Sequence, residues 1–167
     1  MLTVTVEKRD LIDKIISNNQ VCMVGMIDVD GLPYVIPMNF GYADDTFYLH
    51  SAPVGRSVES LKLNPQVCIT LCSDTKLVYQ NEEVACSYRM KASSVICRGK
   101  VEFVDDFDEK IQVLNIIMKQ YSDREFKYSN PAVVNVLVWK VEIDSISTKV
   151  FGVPHPYSRN YKDGSLF

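Results

Sequence analysis

Tyr48-Leu49-His50-Ser51-Ala52-Pro53-Val54-Gly55-Arg56-Ser57 carries the chain from the end of a strand into the start of a helix through hydroxyls, a glycine and an arginine. A helix start offers unpaired N–H groups and the positive end of the macrodipole, Gly55 permits a tight backbone approach, and Arg56 supplies a cationic fork. Ser51 and Ser57 add neutral donors, so the stretch suits a phosphate. An ordinary loop closed by a Ser57 N-cap ahead of Val58-Glu59-Ser60-Leu61-Lys62-Leu63 fits the same residues, and the neighbouring sequence must decide.

Working upstream, residues 46–50 read as a strand preceded by the turn Ala43-Asp44-Asp45. Before that, residues 34–42 and 21–28 flank the turn Asp28-Val29-Asp30-Gly31 and predict a hairpin. Residues 7–18 place Leu11, Ile12, Ile15 and Ile16 at helical spacing opposite Asp10, Asp13 and Lys14. Downstream, Asn64-Pro65 stops the short helix, because the residue before proline is pushed out of the α region, and residues 66–73 resume as a strand. Residues 74–91 are polar and predict an excursion between strands. Residues 93–104 alternate, with Val95, Cys97, Gly99, Val101 and Phe103 on one face and Ile96, Arg98, Lys100 and Glu102 on a wet or interfacial one. Asp105, Asp106 and Asp108 precede a helix over 109–121 whose Ile111, Val113, Leu114, Ile117 and Met118 should pack on the sheet, and residues 131–150 form a β-branched run. No linker or repeat divides the chain. The pattern predicts one α+β domain over 1–167, mainly antiparallel β and barrel-like, with flanking helices.

Composition excludes several functions. The formal net charge of the 167 residues is -3 with no basic stripe, which removes the footprint of a nucleic-acid or anionic-membrane partner. The apolar stretch 21–27 is too short for a membrane span and the N-terminal ten residues are unlike a signal peptide, so the expected location is cytoplasmic. Five cysteines, Cys22, Cys68, Cys72, Cys86 and Cys97, contain no Cys-x-x-Cys and read as reduced, buried hydrophobes. With only His50 and His155 as imidazoles, no metal centre is expected. No two glycines are two residues apart, which excludes a dinucleotide fingerprint and a Walker loop. The pairs Asp44-Asp45 and Asp105-Asp106 sit where turns and helix caps need carboxylates.

What remains is the opening stretch and the strand Tyr34-Val35-Ile36-Pro37-Met38-Asn39-Phe40-Gly41-Tyr42. Pro37 cannot donate to a ladder, so it marks an edge, a bulge or a place where backbone faces a planar ligand. With Phe47-Tyr48-Leu49-His50-Ser51-Ala52, Gly55-Arg56, Leu61, Asn64-Pro65, Ser94-Val95 and Gly99-Lys100, the chain resembles the pyridoxamine 5'-phosphate oxidase-like split β-barrels, and within them the 5-nitroimidazole resistance group of nitroreductases. The resemblance runs from about Val21 to Val104, and its most specific piece is the spacing from His50-Ser51-Ala52 to Gly55-Arg56.

That resemblance implies a homodimer with FMN at the subunit interface. It implies Arg56 and Ser57, beside Gly55, on the FMN phosphate, His50 and Ser51 along the ribityl or ring region, and Pro37, Met38 and Asn39 along the isoalloxazine. Ser93, Ser94 and Val95 would lie near the cofactor, with Trp139, Phe151 and Tyr157 available to complete the pocket across the dimer. Family members commonly carry an arginine directly before the serine matched by Ser94, whereas this chain has Ser93. The implied activity is FMN-dependent reduction of a small nitroaromatic or related acceptor, with His50 as a candidate proton donor. The rival readings are a flavin- or haem-binding module without turnover and pyridoxamine 5'-phosphate oxidase itself. The latter is disfavoured by the lack of a C-terminal arginine cluster beyond Arg159.

Overall fold

The structure, a computed structural model, describes residues 2–153. Eight strands form one antiparallel sheet with the order β3-β2-β6-β7-β8-β5-β4, and β1 adds to β8. The strands are β1 (Leu2–Thr5), β2 (Cys22–Ile27), β3 (Pro33–Met38), β4 (Gly41–Ala43), β5 (Thr46–Ser51), β6 (Gln66–Val78), β7 (Arg89–Val104) and β8 (Leu137–Val153). Four α-helices intervene: α1 (Arg9–Ser17), α2 (Arg56–Leu63), α3 (Phe107–Lys119) and α4 (Asn130–Val134). No helix among the described residues is long and apolar enough to cross a membrane.

The chain divides into two compact units, and β6, β7 and β8 each contribute to both. The first unit comprises residues 2–19, 71–95 and 147–153 of the described chain. Helix α1 buries Ile12, Ile15 and Ile16, as their spacing predicts, and Asn19 ends it by donating from Nδ2 to the Ile15 carbonyl at 2.7 Å. Strand β1, which the charge-interrupted N-terminal sequence did not suggest, pairs Val4 with Val150 and Thr5 with Lys149. The expected excursion over 74–91 is shorter: β6 continues to Val78, β7 begins at Arg89, and a stacked Tyr79–Tyr88 pair, centroids 4.7 Å apart, closes the connection. Both faces of this end of β6 are largely exposed, so its polar side chains never had to alternate with apolar ones.

The second unit comprises residues 20–70 and 96–146. Strands β2 and β3 form the expected hairpin, β2 also pairs with β6, and β5 pairs with both β4 and β8. Trp139, Phe40, Phe47, Leu49, Val24 and Ile69 are fully buried and form its core. The predicted single strand over 34–42 is two strands, at opposite ends of the sheet order. Its break has a visible cause: the Phe40 amide donates to the Tyr121 hydroxyl at 2.8 Å instead of to a ladder, and that hydroxyl donates to the Gln20 carbonyl at 2.7 Å. Helix α3 packs on β4 and β5 and is capped by Asp106, which accepts from the Glu109 amide at 2.9 Å. It sits so close to Gly41 that a Cβ there would lie 2.7 Å from the Ile117 backbone. Pro131 opens α4, so the β-branched run expected from 131 becomes a strand only at Leu137.

The alternation read in β7 is observed: Val95, Cys97, Gly99 and Val101 are buried while Ile96, Arg98, Lys100 and Glu102 are exposed. The cysteine reading needs correction. Cys22 and Cys97 are buried, but Cys68 is half-buried and Cys72 exposed, because even-numbered positions of β6 point away from the core, and Cys86 is exposed in the connection between β6 and β7. Burial pushes the Cys22 thiol up to about 12.

Candidate functional site

The turn after β2 is organised by one carboxylate. Asp28 Oδ1 accepts from the backbone amides of Asp30 and Leu32, both at 2.9 Å, while Gly31 takes a φ of 77°. The second oxygen, Oδ2, accepts from Arg56 Nε at 3.1 Å and Nη2 at 2.6 Å. Asp30 Oδ2 accepts from the same Nη2 at 2.5 Å, and the guanidinium lies 5.9 Å from the Tyr34 ring centroid. The Leu32 amide, aided by Arg56 and the Asp30 amide, holds the Asp28 carboxyl below its ordinary pKa. Reciprocally, Asp28 and then Asp30 raise the Arg56 pKa. The arginine picked out from sequence is therefore held by two acidic residues of the turn, 28 and 26 positions away.

Helix α2 begins two residues earlier than a Ser57 cap requires. Gly55 is its N-cap, with φ 135° and ψ 169°, a conformation that side chains rarely adopt, and no side chain caps the first turn. Ser57 thus sits in the first turn, half-buried, among helix-start amides that no side chain caps. Behind them, fully buried Ser60 donates to the Arg56 carbonyl at 2.7 Å and packs the helix down.

At the end of β5, the hydroxyl of Ser51 accepts from Trp139 Nε1 at 3.1 Å and donates to the Ala52 carbonyl at 2.7 Å. Trp139 is fully buried, edge-on to Phe103, which assigns it to core packing and to fixing this strand end. His50 points to the opposite face of β5 and is exposed, yet desolvation by surrounding protein lowers its pKa from the ordinary 6.5.

Pro37 and Met38 lie on edge strand β3, opposite Met23 and Cys22 respectively, and Asn39 donates from Nδ2 to the Gln20 carbonyl at 3.3 Å. The edge position agrees with the inability of proline to donate to a ladder. On this sheet face Met23, Ile27 and Val35 are exposed, and a cavity of about 350 Å³ opens between Gly25, Ile27, Val35, Cys68 and Arg98. A Cβ at Gly25 would stand 3.4 Å from the Cys68 carbonyl and 3.8 Å from Val35 Cγ2, in space that glycine leaves clear. Sequence reasoning missed Gly25, Cys68 and Arg98 in this wall, and Asp28 and Asp30 as partners of Arg56. The Asp-x-Asp-Gly turn was the available signal, read only as a turn. Ser93, Ser94 and Val95 belong to the first unit, where Ser93 and Val95 are buried and Ser94 half-buried. The expectation for Tyr157 falls outside the described residues. Among the described residues no cluster of three or more metal-ligating side chains occurs.

Fold and site together define a mainly antiparallel α+β protein whose open sheet is of the split-barrel class. The family model described as pyridoxamine 5'-phosphate oxidase matches residues 8–150, and the chain belongs to that family. It is 50% identical to a candidate 5-nitroimidazole antibiotic resistance protein from Bacteroides thetaiotaomicron of known structure, over 89% of this chain and 87% of that one, with a TM-score of 0.82. More distant structures share the fold: a flavocytochrome from Azotobacter vinelandii (21% identity, TM-score 0.76, covering 90% of this chain and 70% of that one). Another is an FAD- and haem-binding protein from Mycobacterium smegmatis (17% identity, TM-score 0.78, covering 90% and 75%). No functionally curated protein matches the chain.

Proposed function

We propose that the chain binds FMN at the interface of a homodimer and passes electrons from the reduced flavin to a small nitroaromatic acceptor. The observation that carries this reading is the exposed apolar sheet face around Gly25, with its cavity of about 350 Å³. A planar ring and a second copy of the chain are the two kinds of group that gain most by covering such a face. The 50% identity to a protein described as a candidate for 5-nitroimidazole resistance supports the choice of acceptor.

The donor set suits a flavin phosphate. Arg56 supplies a fixed cation, Gly55 opens the first-turn amides of α2, and Ser57 adds a hydroxyl. Pro37, Met38 and Asn39 would follow the ring along the edge strand, with His50 and Ser51 nearer the ribityl chain. A bound flavin supplies the electron transfer; the chain orients it and limits water at the apolar face. His50 is largely neutral at pH 7 because its pKa is lowered, so its part is to donate one N–H hydrogen bond to a polar group of flavin or acceptor, with proton delivery confined to acid pH.

Absorption of the purified protein, before and after addition of FMN, is the first test: a colourless protein that ignores added FMN refutes the reading. Anaerobic mixing of the reduced, FMN-loaded protein with a 5-nitroimidazole should then reoxidise the flavin. Failure with several acceptors would leave a flavin-binding module without turnover.

A further inference from the structure

We propose that Asp30 competes with the flavin phosphate for Arg56 and thereby sets how strongly the chain prefers FMN to riboflavin; this rests on the flavin reading above. A guanidinium has a side edge, made by Nε–H and one Nη2–H, and an end edge, made by the other Nη2–H and an Nη1–H. Asp28 holds the side edge with a single oxygen, at 3.1 Å to Nε and 2.6 Å to Nη2. Asp30 engages the same Nη2, which takes up the Nη2 donor of the end edge. A phosphate gripped through two parallel N–H bonds needs that end edge intact, so it must displace Asp30 and can leave Asp28 in place.

The two aspartates are unequally fixed. The side chain of Asp28 is 6% exposed and tied to two turn amides, whereas that of Asp30 is 63% exposed. Moving Asp28 would dismantle the turn; moving Asp30 costs one solvent-exposed ion pair. Asp28 is therefore the positioning residue that aims Arg56, and Asp30 the replaceable anion. With both carboxylates present the cluster Asp28–Arg56–Asp30 carries a net charge of -1, which opposes a phosphate; without that of Asp30 it is neutral.

Equilibrium titration of the full chain with FMN and with riboflavin, by flavin fluorescence at low salt, compares wild type with Asp30→Asn and Asp30→Ala. Both variants should bind FMN about three- to fivefold more tightly than wild type, the upper part of the range of an exposed ion pair, while riboflavin affinity stays within about twofold. The gain should shrink in high salt. A structural effect of the substitution would move both ligands together, so an unchanged FMN-to-riboflavin ratio overturns the inference. The flavin reading then still stands if wild type binds FMN and Arg56→Ala weakens FMN selectively. A wild-type chain that binds neither flavin overturns both.

Discussion

Replacing Gly25 by valine separates the fold from the proposed ring site. Gly25 lies mid-strand in β2, paired with Val35 on one side and Cys68 on the other. An added Cβ meets the Cys68 carbonyl at 3.4 Å and Val35 Cγ2 at 3.8 Å, which are ordinary contacts, so the strand need not move. Glycine within a strand costs about 0.5–1 kcal/mol relative to alanine, and a β-branched side chain favours the strand further. Gly25→Val should therefore unfold in urea at the same or a higher midpoint than wild type. Its methyl groups, however, project into the cavity of about 350 Å³ where the flavin ring is proposed to lie. Lifting a ring by even 0.5–1 Å forfeits about a quarter to a half of each contact, so FMN and riboflavin should both bind at least about tenfold more weakly. Titration of both ligands alongside the urea curve is the assay. A stable Gly25→Val protein with wild-type affinity for both would refute the placement of the ring over β2.

Gly99→Ala tests the opposite circumstance: its Cβ would clash with the Glu142 carbonyl oxygen and lie 2.9 Å from Val141 Cγ1, both across to β8. Overpacking of that kind should destabilise by about 1–3 kcal/mol or more, seen as a lower urea midpoint. Ser51→Ala removes the acceptor of the buried Trp139 Nε1 and should cost about 1–3 kcal/mol in the same measurement, whether or not flavin is present. His50 has a folded pKa below its unfolded 6.5, so the unfolded chain takes up the proton first. Its contribution to stability is full above pH 6.5 and is lost as pH falls through the lower folded pKa; His50→Gln should flatten that part of a pH-stability curve. An unchanged curve would show that the ring is not desolvated in solution.

How far the sequence could be read depended on whether burial imposed a period. Strand β7 was legible because it is buried on one face only, so Val95, Cys97, Gly99 and Val101 alternate with Arg98, Lys100 and Glu102. Strand β2 was recognisable as a strand but not as a site, since Met23 and Ile27 are apolar yet exposed, and nothing in their chemistry distinguishes an outward from an inward position. Both helix starts were placed two residues late: α3 begins at Phe107 behind an Asp106 cap rather than at 109, and α2 at Arg56 behind a glycine whose backbone angles replace a capping side chain. Cys68 and Cys72 read as buried from their apolar neighbours; that their face of β6 is the outer one follows from pairings made by distant strands. The contact of Arg56 with Asp28 and Asp30 was out of reach for the same reason, because it depends on how α2 lies against the end of the β2–β3 hairpin.

That contact also changes what the absence of an arginine at Ser93 means. Ser93 is 2% exposed, so a guanidinium in its place would need a partner or a route to solvent, and serine avoids that demand. The neutralisation of a phosphate in the proposed site then falls on Arg56 and the uncapped amides of α2. Arg56 is shared with a hairpin turn that it helps to hold, through Asp28, in the geometry that aims it. Anchoring and binding are compatible only because the two edges of the guanidinium are separable: one serves the turn, while the other is held by an exposed side chain. A lysine at position 56 would offer a point charge without two edges, so it could not serve the turn and a phosphate in the same way.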